Sequence, residues 1–109
     1  MISLGVMPQY KVGQDCVYCD SSQMLYFYCK DGSIYNGKIL GVYPSSHNTR
    51  FDNIKAGDIL TMFIDNKSKD VVWYINSRYA GSESLRDIEG EIYPFIEMTS
   101  RGDEIRIIQ

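Results

Sequence analysis

Residues 58–76 read DILTMFID-NKSK-DVVWYIN, two apolar runs (58–65 and 70–76) joined by the polar turn Asn66-Lys67-Ser68-Lys69. A short apolar run closed by turn residues is the signature of strands joined by tight loops. Within the second run Val71, Trp73 and Ile75 share one face of a strand, and Val72 and Tyr74 share the other. Both faces are apolar, which predicts a hairpin buried inside a sandwich rather than one on an open sheet edge.

The same pattern continues in both directions. Downstream, the polar stretch 82–89 has room for one helical turn at most. Residues 92–98 and 103–108 then form a second pair of strands around Thr99-Ser100-Arg101-Gly102. Upstream, residues 2–6 make a strand ended by Pro8, and Met24 to Cys29 (MLYFYC) make another, closed by Lys30-Asp31-Gly32. Residues 33–36 and 38–43 flank Asn36-Gly37, a dipeptide suited to a type I′ turn because both residues tolerate positive φ. Residues 44–49 (PSSHNT) read as an exposed loop. No stretch keeps a helical period over three turns. The expected fold class is all-β, an antiparallel sandwich or barrel.

The totals agree with that class. A chain of 109 residues has room for one domain, residues 1–109. Hydrophobic residues at 44% and charged residues at 23% exclude a disordered chain. The net charge of −3, with acids and bases interspersed, supplies no field to hold a phosphate backbone, so nucleic acid is not an expected partner. No run approaches the ~20 apolar residues of a membrane span. The opening MISLGVMP has neither the positive flank nor the apolar length of a signal peptide. Cys16, Cys19 and Cys29 are odd in number, so they cannot form a complete set of internal disulfides. A reducing, intracellular (cytoplasmic) location is the simplest expectation.

Reactive constellations are sparse. Cys16-Val17-Tyr18-Cys19 is a C-x-x-C, but a structural zinc needs four converging ligands, and only a lone Cys29 and a lone His47 remain to complete the set. No βαβ pattern frames it as a redox motif. Cys29 lies in an apolar strand, where a thiolate is disfavoured. The Ser45-Ser46-His47 loop, with Asp52 nearby in sequence, lacks a nucleophile elbow. Asp58, Asp65 and Asp70 stand at strand ends, where Asp serves turns, and no calcium-loop spacing accompanies them. Arg101-Gly102-Asp103 and the sequon Asn66-Lys67-Ser68 carry meaning only outside the cell. Single turn glycines such as Gly57 do not make a phosphate cradle. The expectation is a non-enzymatic chain without cofactor or metal.

Several pieces, in order, resemble the SPRY (B30.2-type) domain, a concanavalin-like β-sandwich. Ile2-Ser3-Leu4-Gly5-Val6 is similar to that family's "IGV" strand. Residues 21–37, with Asp31-Gly32 and Asn36-Gly37, are similar to its "SWGYxxxDGxxYxxG" segment. Gly57-Asp58-Ile59-Leu60 with Ile64-Asp65 resembles its "GDxIG…xD" strand. Val71 to Asn76 with Gly81 resembles "xxFxxNGxxxG", Ile92-Tyr93-Pro94-Phe95-Ile96 resembles "LYPxV", and residues 102–108 resemble the closing strand. Met24-Leu25-Tyr26 stands where the family has its "SWGY" tryptophan, so the core must pack differently there. The family's earlier strands, including a "G.hYWEv" segment, have no counterpart. The likeness therefore covers the later two-thirds of a typical domain, one truncated at its N-terminus, and implies unpaired strand edges.

The resemblance implies a protein-interaction module that grips a peptide or folded partner by loops at one end of the sandwich, of the kind that serves as the recognition part of an assembly such as a ubiquitin ligase. Two segments match the family's binding loops by position: Pro8, Gln9 and Tyr10 continuing to Tyr18, and Thr99, Ser100 and Arg101. A tyrosine ring beside an arginine fork suits a short polar or acidic peptide; the same tyrosines equally serve to cover the core. Two other classes remain open: a lectin-like carbohydrate-binding domain, and a structural subunit whose sheet is completed by a partner chain.

Overall fold

In the computed structural model, which describes residues 2–8, 24–36, 44–47 (backbone), 54–85, 90–98 and 101–108, the hairpin of residues 58–76 forms, with Asp65 facing Asp70 across its turn. Labelled in chain order, the strands are β1 (Ile2–Pro8), β2 (Leu25–Tyr28), β3 (Ser33–Asn36), β4 (Pro44–His47), β5 (Leu60–Asp65), β6 (Asp70–Ile75), β7 (Arg78–Ser84) and β8 (Ile92–Met98). They make two sheets, one of order β4-β3-β2-β1-β8 and one of order β5-β6-β7. Every pairing in both is antiparallel. The described residues contain no helix, and hence none long and apolar enough to cross a membrane.

Turn chemistry sets the three-stranded sheet. Between β5 and β6 the Asp65 carboxylate accepts the backbone N–H groups of Lys67 (2.9 Å) and Ser68 (3.3 Å), an Asx turn that folds the chain back. Between β6 and β7 the two-residue turn is Asn76-Ser77, with φ of 49° and 67°, the left-handed pair of a type I′ hairpin. A bulge follows: Trp73 faces Gly81 and Tyr74 faces Tyr79, leaving Ala80 as the extra residue.

Three segments depart from the sequence expectation. Residues 82–84 are strand rather than a helical turn, because the tight turn at Asn76-Ser77 brings the polar chain into register with an apolar neighbour. Pro44–His47 is an edge strand rather than a loop, pairing Ser33 with His47 and Ile34 with Ser46. Backbone pairing at an edge requires no apolar side chain, and proline is tolerated there. Residues 103–108 lie in no strand; the partner of β8 is β1, in register from Ile2↔Met98 to Pro8↔Ile92. Residues 37–43, expected to complete the turn and strand after Asn36, lie outside the described residues.

The two sheets share one core. Val6, Leu25, Phe27 and Ile34 come from the larger sheet and Val71, Trp73 and Ala80 from the smaller. The indole of Trp73 stacks on Phe27 at 6.1 Å and donates its Nε1–H to the Leu4 carbonyl at 3.0 Å, so one side chain ties both layers. Gly81 sits at a close approach of the two sheets, since a Cβ there would run into Ile34 Cδ1. Met24 and Leu25 are fully buried. The expectation that both faces of the central hairpin are buried is corrected. Val71 and Trp73 are, but Val72 and Tyr74 are half-exposed, because the second sheet covers one face only.

On the other face of the larger sheet Tyr35 stacks on Tyr26 at 5.0 Å, and Tyr26 meets Phe95 edge-on at 6.2 Å. Gly5 lies between them, paired with Tyr26 on one side and Phe95 on the other. A Cβ at Gly5 would strike the Leu25 carbonyl oxygen, so only glycine lets these strands close and the rings meet above it.

Candidate functional site

Paired residues in a sheet share a face, so the register of β5, β6 and β7 specifies the outward surface of the smaller sheet as three rows. One row is Asp65, Asp70, Ser84; the next is Phe63, Val72, Ser82; the third is Thr61, Tyr74, Tyr79. Phe63 is 56% exposed and Tyr79 64%, with Val72 and Tyr74 half-buried between them. The rings of Tyr74 and Tyr79 meet edge-on at 6.4 Å, and the Tyr79 hydroxyl shares a hydrogen bond of 2.9 Å with Ser82 Oγ. The result is an apolar and aromatic platform rimmed by hydroxyls on one side and two carboxylates on another. Such a surface desolvates an incoming side chain while its rim satisfies polar groups.

The platform rests on fixed turns. Asn76 behaves as a piece of extra strand: its N–H donates to the Ile59 carbonyl (2.8 Å) and its Oδ1 accepts the Ile59 N–H (2.9 Å). Its Nδ2 donates to Asp58 Oδ1 (2.9 Å), and Asp58 Oδ2 accepts the Lys55 N–H (2.7 Å). These bonds, the Asn76 amide first, hold the Asp58 carboxyl below the usual range. The N–H groups of Lys67 and Ser68 do the same for Asp65. At the Asp65–Asp70 end the platform adjoins an open cleft of about 660 Å³ lined by Asn66, Lys69, Leu85, Glu91, Ile92 and Tyr93. There Tyr93 donates its hydroxyl to Glu91 at 3.2 Å.

Of the loop residues expected from sequence, Pro8 and Arg101 are described. Pro8 ends β1 opposite Ile92, whereas Arg101 follows Met98, which lies opposite Ile2. Gln9, Tyr10, Tyr18, Thr99 and Ser100 lie outside the described residues, as do Cys16 and Cys19. Cys29 is buried, and burial pushes its thiol up to about 12, so it holds no thiolate at neutral pH. Among the described residues no three His, Cys, Asp or Glu side chains come together.

No protein-family model matches the chain, and neither a curated protein nor a solved structure does. The platform was missed in sequence because the apolar residues on both sides of β6 read as a doubly buried strand. The available signal was in the neighbours: Phe63 and Val72 share their face with Thr61, Asp65, Asp70 and Ser82, a polar rim that a buried layer would not carry.

Proposed function

We propose that this chain is a non-catalytic protein-interaction module, SPRY-like in its sandwich, that docks a peptide or a folded partner on the outer face of β5, β6 and β7. The observation that carries this reading is the exposure of Phe63 and Tyr79 side by side with Val72 and Tyr74 on a rigid, turn-locked sheet. Isolated exposed apolar residues are ordinary on protein surfaces, but a contiguous aromatic patch with a polar rim marks an interaction site. Aromatic side chains are enriched among the residues that dominate binding energy, and a sheet holds them without an ordering cost at the moment of contact. A partner suited to this face presents an apolar side chain to the Phe63–Val72 row and a hydrogen-bonding or basic group to Asp65 and Asp70.

Selection of a displayed random-peptide library on the wild-type chain tests the proposal. Peptides so obtained are expected to lose about tenfold or more in affinity for Phe63→Ser and Tyr79→Ser, on the order of 1–2 kcal/mol each. Their binding to Arg101→Ala is expected to stay unchanged. Peptides that bind the two platform variants as tightly as wild type would count against this face. Binding on a glycan array that the same two variants abolish would transfer the platform to the lectin-like class.

A further inference from the structure

Among the described residues, β4, β8, β5 and β7 end the two sheets, and three of them carry a device that blunts further pairing. β4 opens with Pro44 and meets β3 through a register shift. β8 carries Pro94, and β7 is bulged at Ala80. β5 has no such device. It pairs with β6 without interruption from Leu60↔Ile75 to Asp65↔Asp70, and its sequence LTMFID contains no proline, glycine or lysine. Among the described residues, none of 60–64 has a hydrogen bond, ion pair or ring contact other than those to β6.

The register of the hairpin fixes which backbone groups point off this edge. The Asn76 N–H donates to the Ile59 carbonyl, which makes Ile59 and Asn76 a hydrogen-bonded pair, and such pairs alternate along an antiparallel ladder. Thr61, Phe63 and Asp65 therefore turn their N–H and C=O groups to β6, and Leu60, Met62 and Ile64 turn theirs outward. The side chains of those three residues pack against the core but are only half-buried. Val71 and Trp73, opposite Ile64 and Met62, are fully buried. The core layer thus thins at β5, where a further strand would cover it.

Charge selects the occupant. Asp65 and Asp70 face each other across the hairpin, and like charges so placed are unfavourable. Neither makes an ion pair among the described residues, not even with Lys67 or Lys69 of the turn. No outward position of β5, β6 or β7 carries a lysine or arginine. A strand laid along the open side of β5 puts one of its residues opposite Asp65, and a cation there relieves the pair.

We propose that β5 receives an extended basic segment of a partner protein as an added antiparallel strand, with a lysine or arginine opposite Asp65 and apolar residues opposite Leu60, Met62 and Ile64. Main-chain bonds to these three residues supply the attachment, and the alternating side chains supply the selection. The inward set covers the thin edge of the core, and the residue opposite Phe63 lengthens the outer apolar row. The site goes beyond docking on the platform face: it is an edge, and Tyr79 stands two strands away in β7.

The probe is a fluorescein-labelled peptide GKVYVTVG, whose lysine, tyrosine and threonine fall opposite Asp65, Phe63 and Thr61 in this register and whose valines fall opposite Ile64, Met62 and Leu60. Anisotropy titration with the full chain is expected to show saturable binding below millimolar concentration. N-methylation of the three valines removes the donors that face β5 and is expected to weaken binding about tenfold or more. The same three methyl groups on lysine, tyrosine and threonine lie on the far side and are expected to leave it within about twofold. Replacing the probe's lysine by glutamate is expected to weaken it several-fold. On binding, the amides of Leu60, Met62 and Ile64 are expected to gain protection from hydrogen exchange. Absence of binding would overturn the proposal, as would equal losses from the two methylation patterns, which place the peptide on a face instead. Protection of these three amides before any peptide is added would also overturn it, the edge then being occupied by a second copy.

Discussion

Ser77 occupies a position that its side chain does not favour. It is the second residue of the β6–β7 turn at φ 67°, beside Asn76 at 49°. Asparagine enters the left-handed region more readily than most residues, and Asn76 is held there by side-chain bonds to Ile59 and Asp58, distant in the chain. Serine has no comparable help, and glycine enters that region without a Cβ penalty. Ser77→Gly is therefore expected to stabilise the chain by up to about 1 kcal/mol, part of the relief being offset by the freer unfolded glycine. A rise in urea midpoint with an unchanged slope would show it; a fall would mean that the turn geometry is not set by these two φ values.

At the scale of elements, the two ends of β5 are held by carboxylates that titrate. Asp58 and Asp65 accept hydrogen bonds that exist only in the folded chain, and both are held below their ordinary value. With folded values below the unfolded one of about 3.9, the unfolded chain binds more protons as the pH falls through that range. Their stabilisation is thus fully present above about pH 5 and lost as the pH drops below about 4. Urea midpoints should be flat from neutral pH to about 5 and fall below about 4. Asp58→Asn/Asp65→Asn, which keeps acceptor oxygens but removes the charge, should show a shallower fall. An unaltered acid profile in that double variant would mean that other carboxylates carry the effect. Strands β1, β2, β3, β5, β6 and β8 were legible in sequence, because an apolar run between turn residues leaves little else for the chain to do. β4 and β7 were not, since Pro44-Ser45-Ser46-His47 and Ser82-Glu83-Ser84 have loop composition and become strand only by pairing with an apolar neighbour.

For the whole molecule, the radius of gyration of 13.2 Å is that of a packed domain of this length, about 13 Å. Trp73, the largest fully buried side chain, belongs to one layer and bonds to the other. Trp73→Phe keeps an aromatic ring against Phe27 but removes the indole hydrogen bond to the Leu4 carbonyl and leaves a void beside it. A loss of about 2–4 kcal/mol is expected from these two effects together, a large part of a typical stability. Urea unfolding followed by circular dichroism measures it, the only tryptophan having been removed. A loss under about 1 kcal/mol would mean that the indole bond is dispensable for joining the layers. The candidate site was legible only in part. Phe63, Val72 and Tyr74 stood out as apolar residues in the opening stretch, but their exposure depends on which sheet lies over them.

Local chemistry in the sequence by itself determined the all-β class, the hairpin of residues 58–76 and its polar turn. Apolar alternation and turn residues act over a few positions, and no distant contact is needed to read them. Which face of that hairpin is covered was decided by tertiary structure alone. So were the partner of β8 and the meeting of Tyr26 with Phe95 over Gly5. Each depends on strands distant in the chain choosing one another, and pairing energy is shared among backbone groups that every residue carries alike. Period-two patterns say that a strand has two faces; only the packing of the second sheet says which of them meets water.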